Sequence, residues 1–528
     1  MAGILVSGGT YSGSGDVTTD WFKTDGSDWR VTLPDGTMTI TSESGSWAML
    51  NQWPGSSEYW KHGSGTVKFT TPAGTLVNVM GVNPSDGHFY NVIVNQDAYG
   101  ASKDPVNFAS ADEGSHLVIK NNCTITSGTF STASNPSDDS ELYEIGGGLI
   151  LATSGAFIQG YSGDAGFPPG FQYNAYGNLK AGYIEGQDWY GGAGVQLVLS
   201  SGTTTITGAS SSDVGLVFHD QRAGHLHHSS GTVRFEPGAG VTQKLRWSTD
   251  GLAIYNAVVS GGASSDVRGF MSGDDYLTFT NDLTIDAGKI GTYGDKLRVT
   301  GNVLINDGTL DTDTTNGTTS PHAMGSLTIQ ADGTYDATAY TTIITSYDDS
   351  NAVSFYSNGT FIHNDGTIIF NSQENNPEIS FDTGSPAANR YFYNCIISGA
   401  ASTPMRFAYY GTDITVANDM TVKVGNINQW RRNIVVSGNL NIQNGCTYTC
   451  DGAGGGGAYS DNLTAGTLDI DAGGFFNASP NETIITQPPG SYVGDLFGAF
   501  LNQGTFTHNS GTVILSGASR EQYLGPAS

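Results

Sequence analysis

Ser326-Leu327-Thr328-Ile329-Gln330-Ala331-Asp332-Gly333-Thr334-Tyr335 decides the fold in ten residues. Leu327 and Ile329 alternate with Thr328, which is the period of a strand with one face inward. Asp332-Gly333 then turns the chain, glycine being the residue that tolerates a positive φ there, and Tyr335 returns an apolar side chain. The pattern recurs. It is present at Asp282–Ile290, Asn302–Leu310, Asn439–Tyr448 and Thr467–Phe475. Where copies follow one another closely they are spaced by roughly 20 to 24 residues, the length of one coil of a parallel β-solenoid, in which each coil buries its apolar face against the next.

Outward from these rungs lies a longer repeat with three ordered signatures. The first is a short strand: Thr39-Ile40-Thr41, Thr205-Ile206-Thr207, Ile343-Ile344-Thr345 and Ile484-Ile485-Thr486. The second begins with a histidine and ends on an apolar residue: His62–Phe69, His228–Phe235, His363–Phe370 and His508–Leu515, each with Gly-Thr-(Val/Ile) inside it. The third places a tyrosine before an asparagine: Tyr90-Asn91, Tyr255-Asn256 and Tyr393-Asn394. The fourth copy shows no third signature before Ser528, so its last coil is completed either by further chain or by a neighbouring chain. The boundaries read from this are a cap or attachment segment at 1–35, repeat units at 36–200, 201–338 and 339–480, and a partial unit at 481–528. The expected fold is all-β, an elongated repeat protein of parallel β-solenoid rungs in long units. Ladders of Asn and Thr are expected along the stack, at the Asn of Tyr-Asn and the Thr of Gly-Thr-Val.

Composition agrees. Glycine contributes 74 of 528 residues, about twice its usual share. The charged fraction is 13%, so the strong helix formers Glu, Lys and Arg are scarce. With 25 Tyr, 23 Phe and 8 Trp there is ample material for burial. The net charge of −28 excludes a nucleic-acid partner, which needs clustered Lys and Arg, and disfavours an anionic membrane surface. No stretch of 18 apolar residues is present, so no membrane span is expected. The N-terminus has neither a basic segment nor a long apolar one, so secretion by the common route is not expected. Cys123, Cys395, Cys446 and Cys450 are too few for a disulfide scaffold and read as small buried hydrophobes.

The cassette Gly504–Val513, followed in earlier copies by a Tyr-Asn strand, resembles repeats in virion structural proteins of marine bacteriophages. The resemblance covers the chain from about Gly36 onward. It implies a tail-fibre or spike-like virion component, assembled in the host cytoplasm and located in the virion. Its implied partners are other copies of itself, as a homotrimer, other virion proteins, and a host-surface glycan as receptor. No enzyme activity and no cofactor are expected.

The chemistry in the sequence is weighed against that. His62, His228, His363 and His508 recur once per unit, as do Tyr90, Tyr255 and Tyr393, which points to structural positions rather than catalytic ones. His219, His225, His227 and His228 beside Asp220 match no standard zinc spacing. Asp311-Thr312-Asp313-Thr314-Thr315-Asn316-Gly317 lacks the spacing and terminal Glu of a calcium loop, so no metal is expected. Asp138-Asp139, Asp274-Asp275 and Asp348-Asp349 are candidate glycosidase acids, but strand neighbours point to opposite faces. Trp47, Trp53, Tyr59, Trp60, Trp189, Tyr190 and Trp430 are candidate glycan or interface aromatics. Two alternatives follow: a polysaccharide-degrading tail-spike enzyme, and a cellular surface adhesin or filament protein.

Overall fold

A computed structural model of the chain describes residues 3–25, 29–41, 47–51, 59–70, 76–79, 89–95, 106–109, 116–133, 142–159, 178–186, 196–199, 202–210, 212–218, 226–228, 230–246, 253–269, 276–312, 321–345, 353–372, 377–382, 390–399, 404–407, 412–430, 432–450, 461–486, 499–516 and 524–525. The fold is all-β. The described strands pair in parallel, most of them with a strand one coil before and one coil after. No helix of the described residues is long and apolar enough to cross a membrane. The chain divides into two compact units, Met1–Asp275 and Tyr276–Ser528.

In the second unit each coil carries three strand positions, so the stack has three faces. Met420–Val424, Asn426–Asn428 and the start of Ile434–Ile442 make one coil. The next consists of the end of that strand, Thr447–Thr449 and the start of Leu463–Ile470. Met420 faces Leu440, which faces Leu468. Ile427 faces Tyr448, which faces Phe476 and then Phe506. Ile434 faces Leu463, which faces Thr483 and then Val513. Coil length is not constant. The offset between stacked residues is 20 from Met420 to Leu440 but 31 from Val92 to Cys123, wider than the 20 to 24 read from the rungs alone. The longer coil still pairs in parallel, with a register shift between Val94 and Asn95.

The interior follows the period-two pattern. Leu327, Ile329, Tyr335, Ile344, Phe355, Phe370 and Phe392 are at most 1% exposed. Aromatic rings line up along one inner face, with Tyr448 to Phe476 and Phe476 to Phe506 each 5.6 Å between centroids. Phe355 lies edge-on to Phe361, Phe370, Phe381 and Phe392 within 6.2 Å, filling the coil from several sides at once. All four cysteines are buried free thiols, with burial pushing Cys123 up to about 12.

The turn glycines divide into two kinds. Gly445 has φ +77°, the left-handed conformation expected at a rung turn. Gly333 does not. A Cβ there would sit 2.5 Å from the Ile305 carbonyl oxygen of the coil before, so it is glycine because two backbones approach closely.

The three signatures are three successive coils of one stack. Thr37, Thr66 and Asn91 stand in register, as do Ile40, Phe69 and Val94. The second copy aligns Thr203, Thr232 and Asn256, and the third Thr341, Thr367 and Asn394. The fourth aligns Ile485 with Leu515. Residues of the N-terminal segment also form coil strands: Ile4 faces Phe22, Gly9 faces Trp29 and Val17 faces Met38.

Within each unit, successive copies occupy different faces. In the first unit the Thr37–Ile40 cassette leads on to Cys123, Leu149 and, through Gly148, to Tyr183 and Ile184, whereas Thr203–Ile206 stacks on Leu179–Ala181. In the second, Thr341–Ile344 leads on to Met420, whereas Glu482–Ile485 stacks on the face that holds Tyr391-Phe392 one repeat earlier. In both cases the later copy takes the face immediately preceding the earlier one in chain order. One repeat therefore stops one strand short of a whole number of coils.

Candidate functional site

The repeated histidine sits at the corner where one face gives way to the next. In the third copy the strand Thr360–Ile362 ends, His363 to Gly366 turns, and Thr367–Phe370 begins. Asn364 and Asp365 adopt φ of 44° and 57°, left-handed values that Asn and Asp accept more readily than most side chains. The His363 ring stabilises this turn, because its Nδ1 accepts the Asp365 backbone N–H at 2.9 Å. Gly366 donates to the His363 carbonyl at 2.9 Å. A Cβ on Gly366 would lie 2.3 Å from the Thr338 oxygen of the coil before.

One coil further on, Tyr393 occupies the same corner. Its ring stacks on His363 at 5.6 Å and 15°, while Tyr391 meets the imidazole edge-on at 4.5 Å. The first copy repeats the stack, with His62 and Tyr90 at 5.8 Å and 29°. In the second, His228 Nδ1 accepts the backbone N–H of Tyr255 at 3.0 Å. In the fourth, His508 Nδ1 accepts the Ser510 N–H at 3.0 Å, with Asn509 and Ser510 again left-handed. The exception in detail is His62, whose Nδ1 lies 2.7 Å from the Gly63 carbonyl oxygen and therefore donates.

The neighbouring asparagines complete the corner. Asn364 Nδ2 donates at 2.7 Å to Asp336 Oδ1 and to the Ala337 carbonyl of the preceding coil. Asn394 Oδ1 accepts Asn418 Nδ2 at 2.8 Å and the Asp419 N–H at 3.4 Å. Asp419 Oδ1 then accepts the Asn439 N–H, and Asn439 Oδ1 accepts the Thr467 hydroxyl, both at 2.8 Å. The first copy has the same ladder from Asn91 through Asn121 and Asn122 to Gly148. Thr338, His363, Gly366, Tyr393 and Asn394 line a small hollow at this corner.

The electrostatics suit a clasp. Burial lowers the His363 pKa, with Asp365 pulling the other way. His228, 8% exposed, is pushed down to about 4 by burial. In the second to fourth copies the Nδ1 lone pair is already committed to a backbone N–H, so that nitrogen is not available as a base. Among the described residues no group of three metal-ligating side chains converges.

Sequence reasoning missed three buried polar residues. His322 is 1% exposed and its Nδ1 accepts the Leu297 N–H at 3.0 Å. Gln243 Nε2 donates to the Ile206 and Gly208 carbonyls at 3.1 and 2.7 Å. Gln429 Nε2 donates to the Arg432 and Asn462 carbonyls, and its Oε1 accepts the Tyr448 hydroxyl at 3.3 Å. Each satisfies backbone groups where the coil turns.

Of the candidate aromatics, Trp430 is described in full. It has φ 44°, its backbone N–H donates to Asn428 Oδ1 at 2.9 Å, and the Arg406 guanidinium lies 4.4 Å over its ring. For Trp47, Tyr59 and Trp60 only the backbone is described, within the strands Trp47–Asn51 and Tyr59–Lys61. Trp53, Trp189 and Tyr190 lie outside the described residues. So do the three Asp-Asp pairs, His219, Asp220, His225 and residues 313–317. No family model, no curated protein and no solved structure matches this chain.

Proposed function

We propose that the chain is a structural component of a bacteriophage virion, a tail-fibre or spike protein that contributes to adsorption on the host surface. It works without an enzyme activity of its own, as a homotrimer among other virion proteins, with a host-surface glycan as receptor. One observation carries this reading. Residues that recur from copy to copy join one coil to the next, as His363 stacks on Tyr393 and Asn394 accepts from Asn418 and Asp419. The repeat is thus built to extend a scaffold, and many copies of a weak contact on such a scaffold gain avidity from oligomerisation. The resemblance of the cassette to phage virion repeats points the same way.

The test is mass spectrometry and immunogold labelling of purified phage particles, with light scattering on the isolated chain. Recovery in particles and a mass of three chains are expected. Absence from particles, with the protein found on the producing cell's surface, would replace this reading with the adhesin one.

A polysaccharide-degrading spike is the second reading, and one observation favours it. Asp469 is held above the usual carboxylate range, first by burial and then by Asp471. A raised acid next to a second carboxylate suits glycoside hydrolysis. Release of reducing ends from host polysaccharide by the wild type, lost in Asp469→Asn, would establish it.

A further inference from the structure

The outer surface of the second unit carries a polar column beside an indole. Glu378, Arg406 and Asn428 stand in register on three successive coils. Arg406, in the middle, lays its guanidinium over the Trp430 ring at 4.4 Å. Two features set this place apart from the ladders elsewhere. Trp430 is a bulky residue held left-handed at φ 44° by its backbone hydrogen bond to Asn428, a strain of the kind that gathers at ligand sites. Arg406 Nε is buried and makes no hydrogen bond, which is costly unless something else accepts it. Glu378 lies close enough to feel the Arg406 charge, yet burial keeps its carboxyl above the usual range. A guanidinium, a carboxylate and a half-buried indole thus share one patch.

We infer that Glu378, Arg406 and Trp430 form a binding site for a neutral saccharide. The indole supplies apolar surface for the C–H face of a sugar ring. Arg406 donates to one ring hydroxyl through the terminal nitrogens of its guanidinium, Nε itself being covered, and Glu378 accepts from its neighbour, so a vicinal diol spans the two. The column runs along the stacking direction, where coils are about 4.8 Å apart, so a chain of sugars would lie across the coils rather than along one strand. Anionic saccharides are disfavoured by a net charge of −28. The inference rests on the glycan-receptor part of the proposed function.

The experiment is calorimetric titration of the full chain with a panel of cello-, malto-, chito- and manno-oligosaccharides and dextran. Arg406→Lys keeps the charge but removes the flat fork and Nε. At least one panel member should bind, and its affinity should fall tenfold or more in Arg406→Lys and in Glu378→Gln. Trp430→Phe should weaken it less, and each variant should keep the wild-type circular dichroism and melting temperature. Binding by no panel member, or unchanged affinity in folded Arg406→Lys and Glu378→Gln, would overturn the site. Saccharide binding by a protein absent from virions would instead overturn the virion reading and leave the site standing.

Discussion

Asn394 shows what a single side chain does in this coil. Its Oδ1 accepts both the Asn418 amide and the Asp419 N–H, so its removal takes away two bonds to the next coil, leaving Asn418 only its weaker contact with Asp419 Oδ2. Asn394→Ala should cost about 0.5–1.5 kcal/mol, seen as a lower denaturant midpoint, whereas Asn394→Asp, which keeps the acceptor, should cost less. Equal losses would mean that the ladder bond contributes nothing. The buried histidines give a pH dependence. His228 and His322 are both lowered to about 4 by burial, against an ordinary value of 6.5. The folded state therefore favours the neutral ring. Stability is complete above pH 6.5 and is lost as pH falls towards 4, by roughly 3 kcal/mol for each residue. Denaturation at pH 7 and pH 4.5 should show this loss, and the double variant His228→Asn and His322→Asn should show less of it. At this scale the Tyr-Asn ladder was legible because it repeats. His322, Gln243 and Gln429 were not, because each is a lone polar residue at an inward position and belongs to no period.

At the scale of the element, the corner glycine and the aromatic filling set the coil spacing. Gly366→Ala would put a methyl group 2.3 Å from the Thr338 oxygen, so one coil must move off the other. Overpacking of this kind costs about 1–3 kcal/mol, and a lower melting temperature without loss of β-sheet signal is expected. Phe355→Ala empties a site ringed by four phenylalanines and should cost about 3–5 kcal/mol. The strands themselves were readable from Leu327-x-Ile329 alternation and its relatives. The three faces were not. Lys296–Ile305 looks like one uninterrupted run, yet it crosses a corner near Gly301, with a register shift between Val299 and Asn302. A corner made by one glycine inside an alternating strand pattern leaves no turn signature.

At the scale of the whole molecule, the repeat is a unit of sequence before it is a unit of shape. Because each copy stops one strand short of whole coils, the histidine corner moves to the preceding face from one copy to the next within a unit. Periodicity in the sequence reveals that a unit holds several rungs, but not the remainder left after dividing it into coils. That remainder depends on how many corners lack turn signals. The aromatic candidates were legible only as a composition of exposed rings. Arg406, which lies over Trp430, and Glu378, in register with Arg406, come from 24 and 52 residues earlier, and no local motif joins them to Trp430.

The central claim is that the three signatures are successive coils in one register, and thiol cross-linking tests it most directly. Thr367 and Asn394 are outward-facing register partners on adjacent coils, about 4.8 Å apart between Cα atoms. The double variant Thr367→Cys and Asn394→Cys should be joined within one chain by a short bis-thiol reagent, while Thr341→Cys and Asn394→Cys, two coils apart, should react far less. Equal cross-linking of both pairs, or linkage only between chains, would contradict the coil.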